Sequence, residues 1–140
     1  MKLFATILIL AVLAAPSIHA SDDWQDRVYG SSLAYGRSPS EAAEASEHIR
    51  TILGLQIYLA LSTQTYETTH PQAIESVRRI RSYLSFQTYL TLRTPSYNLT
   101  HDQALRASEE ISSVGALQLY LHLLVVGVSP EKALREIKSR

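Results

Sequence analysis

Residues Leu53 to Leu61 read LGLQIYLAL, and whether they form a strand or a helix decides the fold. Leu53, Leu55, Ile57, Leu59 and Leu61 alternate with Gly54, Gln56, Tyr58 and Ala60, the period-two pattern of a half-buried strand. The preceding stretch, PSEAAEASEHIR from Pro39 to Arg50, is instead rich in helix formers.

A self-comparison separates the two readings. Shifted by 31 residues, Ala42 falls on Ala73, Ile49 on Ile80, Arg50 on Arg81, Leu53 on Leu84, Gln56 on Gln87, Tyr58 on Tyr89, Leu61 on Leu92 and Tyr66 on Tyr97. A second shift reaches Ala104, Ile111, Gln118, Tyr120 and Leu123. Backwards, Gln25, Val28 and Tyr35 lie under Gln56, Leu59 and Tyr66. The sequence therefore reads as three units of about 31 residues with a half unit at each end, the last spacing being two residues shorter.

Each unit opens on a helix start. Ser38 to Glu41, Thr69 to Gln72 and Thr100 to Gln103 all read [Ser/Thr]-x-x-[Glu/Gln], the capping box in which two side chains satisfy orphan amides. Ser129-Pro130-Glu131 adds a fourth start with proline at the first helical position. Gly36 and Gly127, two residues before Ser38 and Ser129, are placed to close the preceding helices in a left-handed conformation.

For the second half of each unit, three observations favour helix. No Pro or Asn-Gly turn separates His48-Ile49-Arg50 from Ile52-Leu53-Gly54. The third copy, ALQLYLHLL from Ala116 to Leu124, has no β-branched residue. The N-terminal half unit is too polar for a buried strand, yet sets Trp24 and Val28 one helical turn apart. The expectation is an all-α chain: an antiparallel helical bundle if each unit is one undivided helix, or a short helical-repeat array if each unit breaks into a pair. An α/β repeat with three short strands is the alternative.

The first twenty residues, MKLFATILILAVLAAPSIHA, have the layout of a secretory signal peptide cleaved near Ala20. Residues 21–140 are expected to form a single helical repeat domain, secreted or periplasmic. The chain has no cysteine, so thiol chemistry and disulfide bonding are excluded. Thirteen basic residues balance thirteen acidic ones, and cleavage removes only Lys2. Near-neutrality argues against nucleic acid as a partner. Val114 to Val128 is apolar but too short for a bilayer, so no stable transmembrane span is expected in the mature chain.

The most distinctive chemistry is the recurring Gln-x-Tyr: Gln56 with Tyr58, Gln87 with Tyr89, Gln118 with Tyr120. These residues either line a groove as a ladder of amides and phenols or lock the packing of successive units. Arg78, Arg79 and Arg81 form the strongest local charge cluster, able to clamp an acidic group or to pair with glutamates of neighbouring helices. Glu47, Arg78 and Glu109 are equivalent positions, as are His48, Arg79 and Glu110, so charges alternate if equivalent faces stack. His70 and His101 follow their caps and are expected to be exposed first-turn residues. Asn98-Leu99-Thr100 is a glycosylation sequon in a loop.

No nucleophile motif, phosphate-binding loop or metal-ligand spacing can be read, so no catalytic residue, metal or cofactor is expected. The leading expectation is a non-enzymatic protein that binds another protein, as an inhibitor, immunity factor, chaperone or secreted effector would. Alternatives are a carrier of a lipid-like or other apolar small molecule between hydrophobic helices, and a small hydrolase.

Overall fold

A computed structural model describes residues 21–140, and the signal-peptide reading of residues 1–20 lies outside the described residues. The described residues form eight α-helices and no strand. In order these are α1 (Ser21–Ala34), α2 (Pro39–His48), α3 (Ile52–Leu61), α4 (His70–Arg79), α5 (Tyr83–Leu92), α6 (His101–Glu110), α7 (Val114–Val125) and α8 (Pro130–Lys138). A single 3-10 turn, Gln64–Tyr66, lies between α3 and α4.

The helix starts are made as the caps dictate. Ser38 and Thr100 each accept from the backbone of the residue three further on, Glu41 and Gln103, whose side chains reach back to the cap amide. Thr69 and Gln72 exchange the same two bonds, at 3.1 and 3.4 Å. Gly36 and Gly127 take φ of 89° and 93°. Behind them Arg37 N donates to Ser32 O and Val128 N to Leu123 O, the Schellman closure that uses up otherwise orphan carbonyls.

The second half of each unit is helical, but the unit is not one long helix. Each is broken after its first ten-residue helix, at Ile49 to Thr51, Ile80 to Ser82 and Ile111 to Ser113. The undivided helix of about 25 residues that one reading of the sequence allowed is not formed; each unit is a pair of shorter helices. Neither Pro nor Gly makes the break. Ile49 and Ile111 turn into extended backbone (ψ 117° and 112°), and Thr51, Ser82 and Ser113 then start new helices as N-caps, accepting from Gly54, Ser85 and Ala116. A cap supplies about 1 kcal/mol towards the cost of about 4 kcal/mol of restarting a helix. The isoleucines at the breaks are buried, so the corner is anchored in the core.

Helices this short, about 15 Å long, are marginal alone and depend on packing. The chain divides into two compact units, one ending at Arg78 and the other running Arg79–Arg140. In the first, α1 packs on α2 and reaches α3. Trp24 and Val28 are buried there, and Trp24 Nε1 donates to Ile49 O at 2.8 Å, satisfying a carbonyl that the break frees. Gly54 allows α3 its close approach to α4: a Cβ there would stand 3.0 Å from Thr51 Oγ1 and 3.1 Å from Val77 Cγ1. Every residue from Gly54 to Leu61 is buried, so LGLQIYLAL belongs to a helix enclosed on all sides, and its alternation carries no facial information.

In the second unit α5 packs on α6, and α6 and α7 both pack on α8. Leu105, Ile111, Tyr120 and Leu134 are buried. No helix among the described residues is long and apolar enough to cross a membrane.

Candidate functional site

Tyr58, Tyr89 and Tyr120, read from the sequence as lining a groove or locking the packing of successive units, are all buried, on α3, α5 and α7. Two of them are tied to histidines at the starts of the following helices. Tyr58 Oη lies 2.8 Å from His70 Nδ1, and Tyr89 Oη lies 2.7 Å from His101 Nδ1. The rings meet edge to face, with centroids 5.7 Å apart in both pairs.

His70 and His101 are thus buried rather than exposed as their first-turn positions suggested. A side chain at a helix start leans back over the preceding turn and loop, and here a tyrosine hydroxyl waits there. His70 Nε2 also meets Glu44 Oε2 at 3.0 Å, and Glu44 is half-exposed. An ionised carboxylate only accepts, so Nε2 carries the proton, Nδ1 is the acceptor and Tyr58 donates. The result is a directed chain, tyrosine to histidine to glutamate.

Around Tyr58, Arg37 lies 5.3 Å over the ring and its Nε donates to Ser62 Oγ at 2.9 Å. Burial raises the Tyr58 hydroxyl to about 12; Arg37 opposes the rise, and Glu41 and Glu44 add to it. Glu41 itself is held below the usual carboxylate range, first by the Ser38 backbone amide. The chain of hydrogen bonds ties α3 to the start of α4 and, through Glu44, to α2.

The third tyrosine differs. Tyr120 is also raised to about 12, by burial and then by Glu131 and Glu110, but its hydroxyl has no hydrogen-bond partner among the described residues. Where His70 and His101 open α4 and α6, Pro130 opens α8. A cavity of about 190 Å³ lies against Tyr120, lined also by Asp102, Gln103, Arg106, Pro130 and Leu134. Gln103 Nε2 donates to Glu131 Oε1 at 3.0 Å on its rim. A more open depression of about 570 Å³ follows the loop from Ser62 to Thr69 and is lined by hydroxyl and amide side chains and Glu67.

The glutamines differ in burial. Gln56 is buried, Gln87 half-buried and Gln118 exposed. Gln56 Oε1 finds no hydrogen-bond donor. Replacing Gln56 with Met keeps the volume and removes that cost, so Gln56→Met should raise the unfolding free energy by about 1 kcal/mol, measured by urea titration. A loss of stability would mean that the amide has a partner in solution.

Of the arginines, Arg79 pairs bidentately with Glu109, Nε to Oε1 at 2.6 Å and Nη2 to Oε2 at 2.7 Å. Arg78 Nη2 lies 3.4 Å from His48 Nδ1, and Arg81 is exposed. Each contact is displaced by one residue from the expected alternation, Arg79 meeting Glu109 rather than Glu110. Asn98 is exposed in a left-handed loop conformation (φ 53°), and Thr100 beside it caps α6.

Reasoning from sequence singled out the tyrosines but missed their histidine partners. The signal was available: in both copies His follows Tyr at the same twelve-residue spacing, 58 to 70 and 89 to 101.

A different feature stands out on α7. No Asp, Glu, Lys or Arg occurs between Ile111 and Pro130. Val114, Val125 and Val126 are 61, 73 and 59 % exposed. Leu117, Leu121, Leu123 and Leu124 are half-buried, and Tyr120 is the only buried residue of the helix, whereas α3 with the same pattern is buried from Gly54 onward. Compared with family models, with curated proteins and with solved structures, the chain matches none.

Proposed function

We propose that the protein is an exported, non-enzymatic helical-repeat protein that binds another protein, with α7 as its docking face. The observation that carries this reading is the exposure of an uncharged, leucine- and valine-rich helix. Soluble proteins seldom leave such a face to water, and contiguous apolar surface of this kind marks an interaction site. The absence of charge on it suits a partner that offers an apolar helix or groove rather than an acidic or basic surface. Export is supported by the signal-like first twenty residues, and repeat organisation by the recurrence of caps and tyrosines. The burial of Tyr58 and Tyr89 with their histidines supports structural use of those groups over catalysis.

The double variant Val125→Glu, Val126→Glu alters only exposed positions and should leave the helical circular dichroism unchanged. Immobilised wild-type protein is expected to retain a discrete partner from the extracellular or periplasmic proteome, and the variant to lose it at least tenfold. Equal retention by both proteins, or retention by neither, would refute α7 as the docking face.

A further inference from the structure

In the two complete tyrosine sites an imidazole ring is built into the fold. It meets the tyrosine edge to face, at 5.7 Å between centroids, and its Nδ1 is hydrogen-bonded to the hydroxyl, as the acceptor in the first site, where Glu44 holds the opposite nitrogen. The third site keeps the tyrosine and lacks the ring. The shortened connection between α7 and α8 brings Pro130 to the first helical position, and proline offers neither a ring nitrogen nor a backbone N–H. Tyr120 is only 1 % exposed, and its hydroxyl, which has no hydrogen-bond partner among the described residues, opens onto the cavity rather than being sealed in the core. Such a hydroxyl is satisfied either by water in the cavity or by a ligand that supplies an acceptor in its place.

The cavity at that hydroxyl, about 190 Å³, has room for a five-membered ring together with some water. Leu134 and Pro130 give it apolar walls. Asp102 and Glu131 give it carboxylate acceptors. The complete first site has the same three elements: a phenol donor, an aromatic nitrogen acceptor and a carboxylate for the opposite N–H.

We propose that the cavity beside Tyr120 is a binding site for an imidazole-type ring, which accepts a hydrogen bond from the Tyr120 hydroxyl through its bare nitrogen and donates its N–H to Asp102 or Glu131. The ring is either that of a free small molecule or the side chain of a histidine on another polypeptide. The site is independent of the docking role of α7, because it faces the α6 and α8 side of the helix and needs no protein partner.

The test is a titration of the ¹⁵N-labelled protein followed by amide shifts, at a pH near 8 where imidazole is neutral. Imidazole itself is one probe, and a peptide with blocked termini and one central histidine is the other. Saturable shifts at Tyr120, Gln103 and Leu134 are expected, with midpoints in the millimolar range for so small a ligand. Tyr120→Phe, which deletes only an unpartnered hydroxyl, should fold normally and weaken binding about tenfold or more. Pyrrole, of similar size but with no acceptor nitrogen, should not saturate. Saturation by imidazole alone assigns the site to a small molecule, and saturation by both probes assigns it to a histidine side chain as well. Linear, unsaturating shifts, equal affinity in Tyr120→Phe, or equal binding of pyrrole would overturn the proposal and leave a hydrated cavity.

Discussion

Tyr58→Ala is expected to lower the unfolding free energy by about 4 kcal/mol, the cost of emptying a fully buried aromatic site. Against a stability of about 5–15 kcal/mol for a natural domain, that loss is about a quarter to four fifths of the total. Two effects combine. The ring leaves a cavity among residues of α3, which is buried on all sides from Gly54 to Leu61. The buried His70 Nδ1 loses its donor, while Nε2 stays committed to Glu44. Tyr58→Phe separates them, since it keeps the ring and removes only the donor, and should cost about 1–3 kcal/mol. The decisive comparison is Tyr120→Phe. Its hydroxyl has no hydrogen bond among the described residues, so the same chemical change should fall within about 0.5 kcal/mol of zero. Trp24, buried beside the break at Ile49, is the chain's single tryptophan and reports on the first unit by fluorescence, while helical circular dichroism also reads the second unit, which holds Tyr120. Equal losses for Tyr58→Phe and Tyr120→Phe would show that the tyrosine to histidine bond adds nothing.

That contrast also marks how far the sequence could be read. The capping boxes at Ser38, Thr69 and Thr100 and the glycines at 36 and 127 were legible because each acts through atoms within a few residues. The all-α class followed from them. The breaks were not legible as breaks, because helix ends were sought at Pro and Gly. They are made by Thr51, Ser82 and Ser113, whose hydroxyls open new helices after a buried isoleucine. Whether Ser or Thr caps a helix or rides on its surface depends on the tertiary corner, which local sequence does not contain.

Burial was the least legible quantity. LGLQIYLAL and ALQLYLHLL are near copies, yet α3 is enclosed and most of α7 is not. Composition sets the free energy available from burial, but position in the fold decides whether it is realised. His70 and His101 were misjudged for the same reason, their first-turn positions suggesting exposure until a tyrosine partner is placed beside them. The cavity at Tyr120 had only one trace in the sequence, the loss of two residues from the last spacing.

Raising the pH should unfold the protein through the same tyrosines. Tyr58 and Tyr120 are both held at about 12 in the fold, chiefly by burial, against an ordinary value of 10; burial raises Tyr66 as well. A group whose folded pKa is raised contributes stability that is fully present below its unfolded pKa and is lost as pH rises through the folded value. Stability should therefore be flat up to about pH 10 and fall between about 10 and 12. Two pKa units correspond to about 2.7 kcal/mol for each tyrosine, and solvent screening near the hydroxyls reduces that to about 1–2 kcal/mol each. The combined loss of about 2–4 kcal/mol is a large share of a domain's stability. Few groups other than tyrosines add to the effect: Lys132 and Lys138 are the only lysines of the described residues, and arginines keep their charge. The Lys138 bridge to Glu110, at 3.1 Å, is exposed and contributes under about 1 kcal/mol. Urea midpoints across this range, with tyrosinate absorbance recorded in parallel, should show unfolding and phenol ionisation advancing together. In Tyr58→Phe, Tyr120→Phe the slope should shrink to what the remaining six tyrosines and the lysines leave. An unchanged slope in the double variant, or full tyrosine ionisation near pH 10 with the helices intact, would place the alkaline weakness elsewhere in the chain.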